Sequence, residues 1–341
     1  MRASNTSRSW RPLPVVKAKR CLIVGLGQIG AGYDIDSRPD GGIYTHARAI
    51  ALHPSFELVG GVDPVESQRQ RFQVRYGVEA FESIGLAMRR LRPEIAVIAT
   101  PAELHLRHVE QVLAVNTPEI IICEKPLALS EAEGAELVRR CEEAGVTLFV
   151  NFIRRSEPGA IEVRRRIEAG EIAAPLKGSF WYSKGLFNNG SHFINLLQYW
   201  LGAIKEHAVL DEGRHWAGSD PEPDVRIVFD HGSVVVQAAW EEAFSFYGGE
   251  LLSQSGRLAY RNGGSLIEWQ GLSRDENFTG YSVLSAEVEN IHNDMDRYQW
   301  HVYEQLSHFL ADEPSELCSG REALATLRFV AAIAGRYRNE I

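Results

Sequence analysis

Cys21-Leu22-Ile23-Val24-Gly25-Leu26-Gly27-Gln28-Ile29-Gly30 runs four apolar or small residues straight into a GxGxxG turn. The glycine pattern is weak by itself. Its weight comes from context, because it follows a strand directly and opens an alternation of short apolar runs with helical segments. Gly25 permits the tight turn and Gly27 lets backbone approach a pyrophosphate. Gly30 allows close helix–strand packing, with phosphate at the helix N-terminus and Gln28 and Ile29 completing the turn. A glycine-rich turn without a ligand is the competing reading.

Working outward, strands are expected at Cys21–Val24, Glu57–Val62, Ile95–Ala99, Ile120–Cys123 and Val146–Val150. Periodic segments lie between them, such as Glu103–Val115 and Glu131–Ala144, the latter opened by Ser130 as an N-cap. Strand–helix alternation of this kind predicts an α/β doubly wound parallel sheet. The second strand ends at Asp63, where a carboxylate accepts hydrogen bonds from ribose hydroxyls and favours NAD over NADP. Arg69 and Arg71 follow and keep a 2′-phosphate partner in view. The glycine turn and Asp63 are separated by an insertion, 31–44, placed here near the cofactor's reactive end or on the plain surface. Thr100 and Pro101 end the next expected strand, and His105 falls in the first turn of the helix after it. That puts Thr100 and His105 beside the nicotinamide half of a dinucleotide. An ordinary exposed histidine at a helix start is the alternative for His105.

Glu119–Pro126, EIIICEKP, is a buried strand stopped by Glu124, Lys125 and Pro126. In an open parallel sheet ligands bind beyond the carboxyl ends of the strands, so this charged pair stands where chemistry is done. A solvated strand-end ion pair is the bland alternative.

The 341 residues suffice for two cores, with 45% hydrophobic and 24% charged residues. A net charge of −9 argues against nucleic acid, whose phosphates need a basic face. Four scattered cysteines without CxxC spacing indicate a reduced, cytoplasmic protein with no structural zinc, and no other metal-ligand cluster is evident. No apolar run reaches membrane-spanning length. Residues 1–19 are basic and are read as a disordered extension.

GLGQIG, ATPxxxH (Ala99–His105) and EKP (Glu124–Pro126), in this order, resemble the Gfo/Idh/MocA oxidoreductases, a family that includes glucose–fructose oxidoreductase and inositol dehydrogenase. The resemblance implies a Rossmann dinucleotide-binding domain, here 20–152. It also implies a second α+β domain, 153–341, built on a large open, mostly antiparallel sheet. Strand-like runs at Leu176–Tyr182, Val225–Phe229, Val234–Trp240, Gly249–Leu252, Arg257–Tyr260 and Leu266–Trp269 support that sheet independently. Helices are expected over Asp294–Leu310 and Arg321–Tyr337. In the family the EKP lysine lies between nicotinamide and substrate, which assigns that place to Lys125. The family's DxGxHxxD pattern matches 188–195, with His192 as the proton-transfer residue. Asn188 and Asn195 stand where the pattern has aspartates, and are expected to share a helix face with His192 and bind substrate hydroxyls. Arg154 and Arg155 are candidates to hold an anionic substrate group, with a solvated basic pair as the alternative.

The function expected from these residues is NAD-dependent hydride exchange with a secondary carbinol of a sugar, cyclitol or nucleotide-linked sugar, with NADP the less favoured cofactor. Lys125 binds the reacting oxygen and His192 takes the proton. Glycoside hydrolysis through transient oxidation and a non-catalytic dinucleotide-sensing regulator are the alternatives. The resemblance further implies a homodimer or homotetramer associating through the open sheet, and neither a nucleic-acid nor a membrane partner.

Overall fold

The structure is a computed structural model and describes residues 17–38 and 40–335. The basic segment 1–19 therefore lies mostly outside the described residues.

Six parallel strands form the first sheet: β1 (Lys19–Val24), β2 (Phe56–Val62), β3 (Ala80–Phe81), β4 (Ile95–Ile98), β5 (Ile120–Cys123) and β6 (Thr147–Val150). Their order is β6-β5-β4-β1-β2-β3. Strand order reverses between β1 and β4, and the crevice at such a switch point is where dinucleotides bind. Helices α1 (His46–Leu52), α2 (Glu66–Tyr76), α3 (Ile84–Leu91), α4 (His105–Leu113) and α5 (Glu131–Glu143) alternate with the strands. Every residue of β4 and β5 is buried, as expected of central strands covered on both faces. Ser130 caps α5 by accepting the Glu133 N–H at 3.3 Å. The two-residue β3 is too short to leave a periodic signal and was not expected.

The glycine turn does not run on into a long helix. Gln28–Gly32 make one π turn, after which the chain leaves as the 31–44 loop and resumes helix at α1, capped by Thr45. Asp34 organises this loop: its buried carboxylate accepts the Tyr44 N–H at 2.8 Å, the Thr45 N–H at 3.0 Å and the Thr45 hydroxyl at 2.6 Å. Asp36 pairs with Arg71 of α2 at 3.0 Å, fixing the loop's outer half. The Ile43 N–H donates to the Asp296 carbonyl at 2.9 Å, fixing its inner half to the second half of the chain.

The second sheet contains β7 (Leu176–Tyr182), β8 (Ile204–Trp216), β9 (Asp220–Phe229), β10 (Gly232–Ala238), β11 (Gly248–Ser253), β12 (Gly256–Arg261) and β13 (Leu266–Gln270). A small ribbon, β14 (Leu272–Arg274) with β15 (Ser282–Leu284), precedes its last strand, β16 (Glu289–Ile291). The order is β16-β13-β12-β11-β7-β10-β9-β8, antiparallel except for the parallel pair β7·β10. Helices α6 (Pro158–Glu168) and α7 (Ser191–Leu201) contribute to its core, where Phe180, Phe193, Trp200 and Tyr260 meet. The thirteen-residue edge strand β8 escaped the sequence reading. Most of its side chains are exposed, and its pairing with β9 shifts register three times, so it carries no steady alternation.

Helix α8 (Tyr298–Leu310) starts after a 3₁₀ turn, four residues later than expected. Beyond it the chain returns to the first sheet. β17 (Cys318–Ser319) pairs antiparallel with β6, and α9 (Gly320–Gly335) packs on both α5 and α7. Arg155 ties this return in place and is no solvated residue: it is buried, donating to the Glu322 carboxylate at 2.8 Å and the Glu316 carbonyl at 3.1 Å. Among the described residues no helix is long and apolar enough to cross a membrane, and no cluster of His, Cys, Asp and Glu could hold a metal.

Candidate active site

A cleft of about 810 Å³ opens along the carboxyl ends of β1, β2 and β4, lined by Gly25, Gly27, Asp63, Thr100 and Pro101 among others. Gly25 has φ +97°, and a Cβ there would lie 2.6 Å from the Ala99 carbonyl oxygen. At Gly30 a Cβ would lie 2.0 Å from the Gly25 oxygen. Those two glycines are demanded by packing. Gly27 is not: a Cβ there would meet no protein atom within 4 Å. The space it leaves opens into the cleft, and first-turn N–H groups such as those of Gln28 and Ile29 lack carbonyls one turn back to bond. Asp63 accepts the Leu26 N–H on one oxygen at 2.9 Å and the Val65 N–H on the other at 2.8 Å. Each oxygen keeps a second lone pair for a ribose hydroxyl. Arg69 donates to the carbonyls of Asp63 and Pro64, both at 2.8 Å, and Arg71 is held by Asp36. The donor set therefore fits a dinucleotide with a free 2′-hydroxyl.

His105 is not part of this cleft. It is fully buried, with its ring nitrogens 2.8 Å from the Thr100 carbonyl and 3.2 Å from the Leu127 carbonyl, joining two strand-end turns. His108, three residues further along α4, lines the cleft and lies 3.0 Å from the Thr100 hydroxyl. Burial, aided by Arg107, lowers the His108 pKa.

Glu124 points beneath the site. One of its oxygens is 3.0 Å from His46 Nε2 and accepts from Asn151 at 2.6 Å. His46 Nδ1 in turn lies 2.9 Å from the Tyr303 hydroxyl and 3.0 Å from Gln299, both on α8. Burial alone would raise the Glu124 pKa, but His46, Asn151 and the Lys125 charge together bring it below the usual carboxylate value. Lys125, across a cis bond to Pro126, reaches outward and donates to the Asn188 carbonyl at 2.6 Å. Burial, joined by the charge of Arg154, pushes its pKa down to about 8 against the opposing pull of Glu124 and Asp220.

Asn188 lies in a second π turn, Leu186–Gly190, directly ahead of α7. Asp220, the first residue of β9, fastens that turn by accepting the N–H groups of Phe187 and Asn188, each at 2.9 Å. His192 follows in the first turn of α7 with its ring edge-on to Phe152 at 5.8 Å. Its Nδ1 is sealed from solvent and has no hydrogen-bond partner among the described residues. Burial, then the charges of Lys125 and Arg154, hold its pKa well below the ordinary imidazole value. Asn195 turns away from this group. It is buried against α9, donating to Thr326 Oγ1 at 3.0 Å. The widened π turn takes Asn188 out of the phase of α7, while Asn195, three residues past His192 on α7 itself, lies on the side that packs against α9.

Residues 19–152 match the oxidoreductase family described as an NAD-binding Rossmann fold, GFO_IDH_MocA. The first domain thus matches the NAD-binding domain of the Gfo/Idh/MocA oxidoreductases. It is 28% identical over 200 residues to scyllo-inositol 2-dehydrogenase (NAD(+)) of Bacillus subtilis strain 168, covering 54% of each chain. It is 40% identical over 81 residues to D-apiose dehydrogenase of Paraburkholderia graminis, covering 24% of this chain and 21% of the relative. The chain thus spans about half the length, or less, of these curated relatives. In fold it is similar to the WlbA dehydrogenase from Bordetella pertussis, solved with NADH and UDP-GlcNAcA, at a TM-score of 0.73 and 19% identity over 95% of this chain and 98% of that one.

Three residues of this candidate site were not singled out from sequence. His108 was signalled by helical spacing, since Leu104, His108 and Gln111 fall on one face of the 102–113 segment and all line the cleft. Asp220 and His46 left no local signal. They join the site through β9 and through α1, and only the tertiary fold brings them to Asn188 and Glu124.

Proposed function

We propose that this chain is an NAD-dependent dehydrogenase that oxidises a secondary carbinol of a sugar or cyclitol, with residues 20–152 holding the cofactor and 153–341 the substrate. The observation that carries this reading is the meeting of Lys125, from the end of β5, with the π turn that introduces His192. The activities in the relatives' names, scyllo-inositol 2-dehydrogenase and D-apiose dehydrogenase, are of this class.

NAD, when bound, would supply the two-electron acceptor. The Lys125 ammonium binds the carbinol oxygen and lowers the cost of the negative charge that develops there. Its present bond to the Asn188 carbonyl holds Nζ in one place while leaving further N–H groups for the substrate. His192, uncharged at neutral pH, takes the proton on Nε2, because Nδ1 is buried. Phe152 excludes water from one edge of that ring.

The test is reduced-nicotinamide formation with a panel of cyclitols and sugars, followed by Lys125→Ala and His192→Ala. Each variant loses about a hundredfold or more in kcat/KM. Full turnover in either variant sinks the assignment. We further propose self-association through the uncovered face of the second sheet, where Trp181 and Leu252 are 37% and 53% exposed, in a reducing compartment such as the cytoplasm that keeps the four buried thiols free. Sedimentation of Leu252→Glu checks the former: the variant runs as a smaller species than the parent, and an unchanged species excludes that face.

A further inference from the structure

Arg154 is not used by the chemistry above, yet it stands beside both groups that perform it. It follows β6 in a short 3₁₀ turn, and its guanidinium carbon lies 4.9 Å over the Phe193 ring and 5.8 Å from the Tyr247 ring. Phe193 is the residue after His192, and the two aromatic rings stack on each other at 5.6 Å. The guanidinium is therefore held in orientation by aromatic faces, which desolvate it without neutralising it. Its Nε is buried with no hydrogen-bond partner, the side chain otherwise bonds the neutral Tyr260 hydroxyl, and among the described residues no carboxylate lies within ion-pair distance of it. This sets it apart from Arg155, which Glu322 neutralises. The carboxylates closest to the chemistry are already engaged, Glu124 by His46 and Asn151, and Asp220 by two backbone N–H groups.

Three nitrogenous side chains thus converge, and the charge of Arg154 is felt at both Lys125 and His192. A half-buried guanidinium without a counter-ion is costly unless a ligand completes it. A planar fork of N–H donors is suited to a carboxylate or phosphate, which it binds in bidentate fashion. We propose that Arg154 anchors an anionic group of the substrate, so that the carbinol oxidised belongs to an acidic sugar derivative, one bearing a carboxylate or a phosphate. This rests on the dehydrogenase reading for the word substrate, and on Arg154's surroundings for the charge.

The experiment is isothermal titration of D-glucuronate, D-glucose 6-phosphate and D-glucose into the full chain with NAD present, repeated on Arg154→Gln and Arg154→Lys. At least one acidic sugar binds roughly tenfold or more tighter than glucose. Arg154→Gln removes that preference and Arg154→Lys restores part of it. Glucuronate or the 6-phosphate as the favoured probe decides between carboxylate and phosphate. The proposal is overturned if the parent chain shows no anion preference, whether all three sugars bind alike or none binds, or if Arg154→Gln keeps the preference. Should the glutamine variant fail to fold, the comparison on the parent chain and the lysine variant still decides. Anion preference without NAD reduction by any alcohol leaves Arg154's role standing and sinks the dehydrogenase. Reduction of NAD by a neutral cyclitol with no anion preference does the reverse.

Discussion

Replacing Asp220 by Asn tests whether Lys125 acts as an ammonium. The Asp220 carboxylate is joined to Lys125 by a short path. It accepts the Asn188 N–H at 2.9 Å, and the Asn188 carbonyl accepts from Lys125 Nζ at 2.6 Å. With the backbone of one residue between these two bonds, the charges are no more than about 9 Å apart. At an effective dielectric of about 20 their attraction is about 1.8 kcal/mol, on the order of one pH unit in the Lys125 titration. Asp220 raises the Lys125 pKa, which stands at about 8, so removing its charge lowers that value to about 7. Initial rates of NAD reduction at low substrate, followed from about pH 5 to 10, report the titrations of the free protein. The parent profile is a bell. Its acid side is set by His192, which must be uncharged and titrates well below 6.5, and its alkaline side by loss of the Lys125 ammonium near 8. In Asp220→Asn the alkaline limb moves down by about one unit while the acid limb stays. An alkaline limb that does not move, or a parent rate that climbs through pH 8 instead of falling, refutes the reasoning.

Two further outcomes follow from the packing. Gly27→Ala meets open space, so the thermal midpoint holds while NAD affinity, read by quenching of protein fluorescence, falls about tenfold or more. Gly30→Ala drives a methyl group onto the Gly25 oxygen and destabilises the fold by about 2 kcal/mol or more, seen in urea unfolding. Beneath Lys125, His46→Ala leaves a buried carboxylate short of a partner and costs about 2–4 kcal/mol in the same assay. The Glu124 pKa is depressed in the folded chain, so its contribution to stability is present above the unfolded value of about 4.3 and is lost as pH falls through the folded one. Glu124→Gln removes that acid-side dependence, and an unchanged slope of stability against pH below 5 would count against the network.

Local pattern alone determined the five longer strands of the first sheet and the cofactor turn. Apolar runs at β1, β4 and β5 are buried on both faces, and such strands need no partner information to be recognised. Gly25 and Gly30 are set by backbone approach within one turn, a constraint written into the residues themselves. Lys125 and His192 stood out as candidates because each lies at the end or the beginning of an element. Tertiary structure alone decided how the rest is used. Periodicity put Asn195 on the substrate face, but α9 packs on that side of α7 and takes its side chain, and His105 was drawn into the interior by two carbonyls from neighbouring turns. The edge strand β8, exposed and repeatedly out of register, has no buried face to mark it. Asp220 and His46 are distant in sequence from the groups they hold, and a hydrogen bond between elements leaves no trace in the composition of either. Burial and turn geometry are local properties that a sequence carries. Charge coupling and the partnering of buried polar groups depend on which elements meet, and that is settled only when the chain has folded.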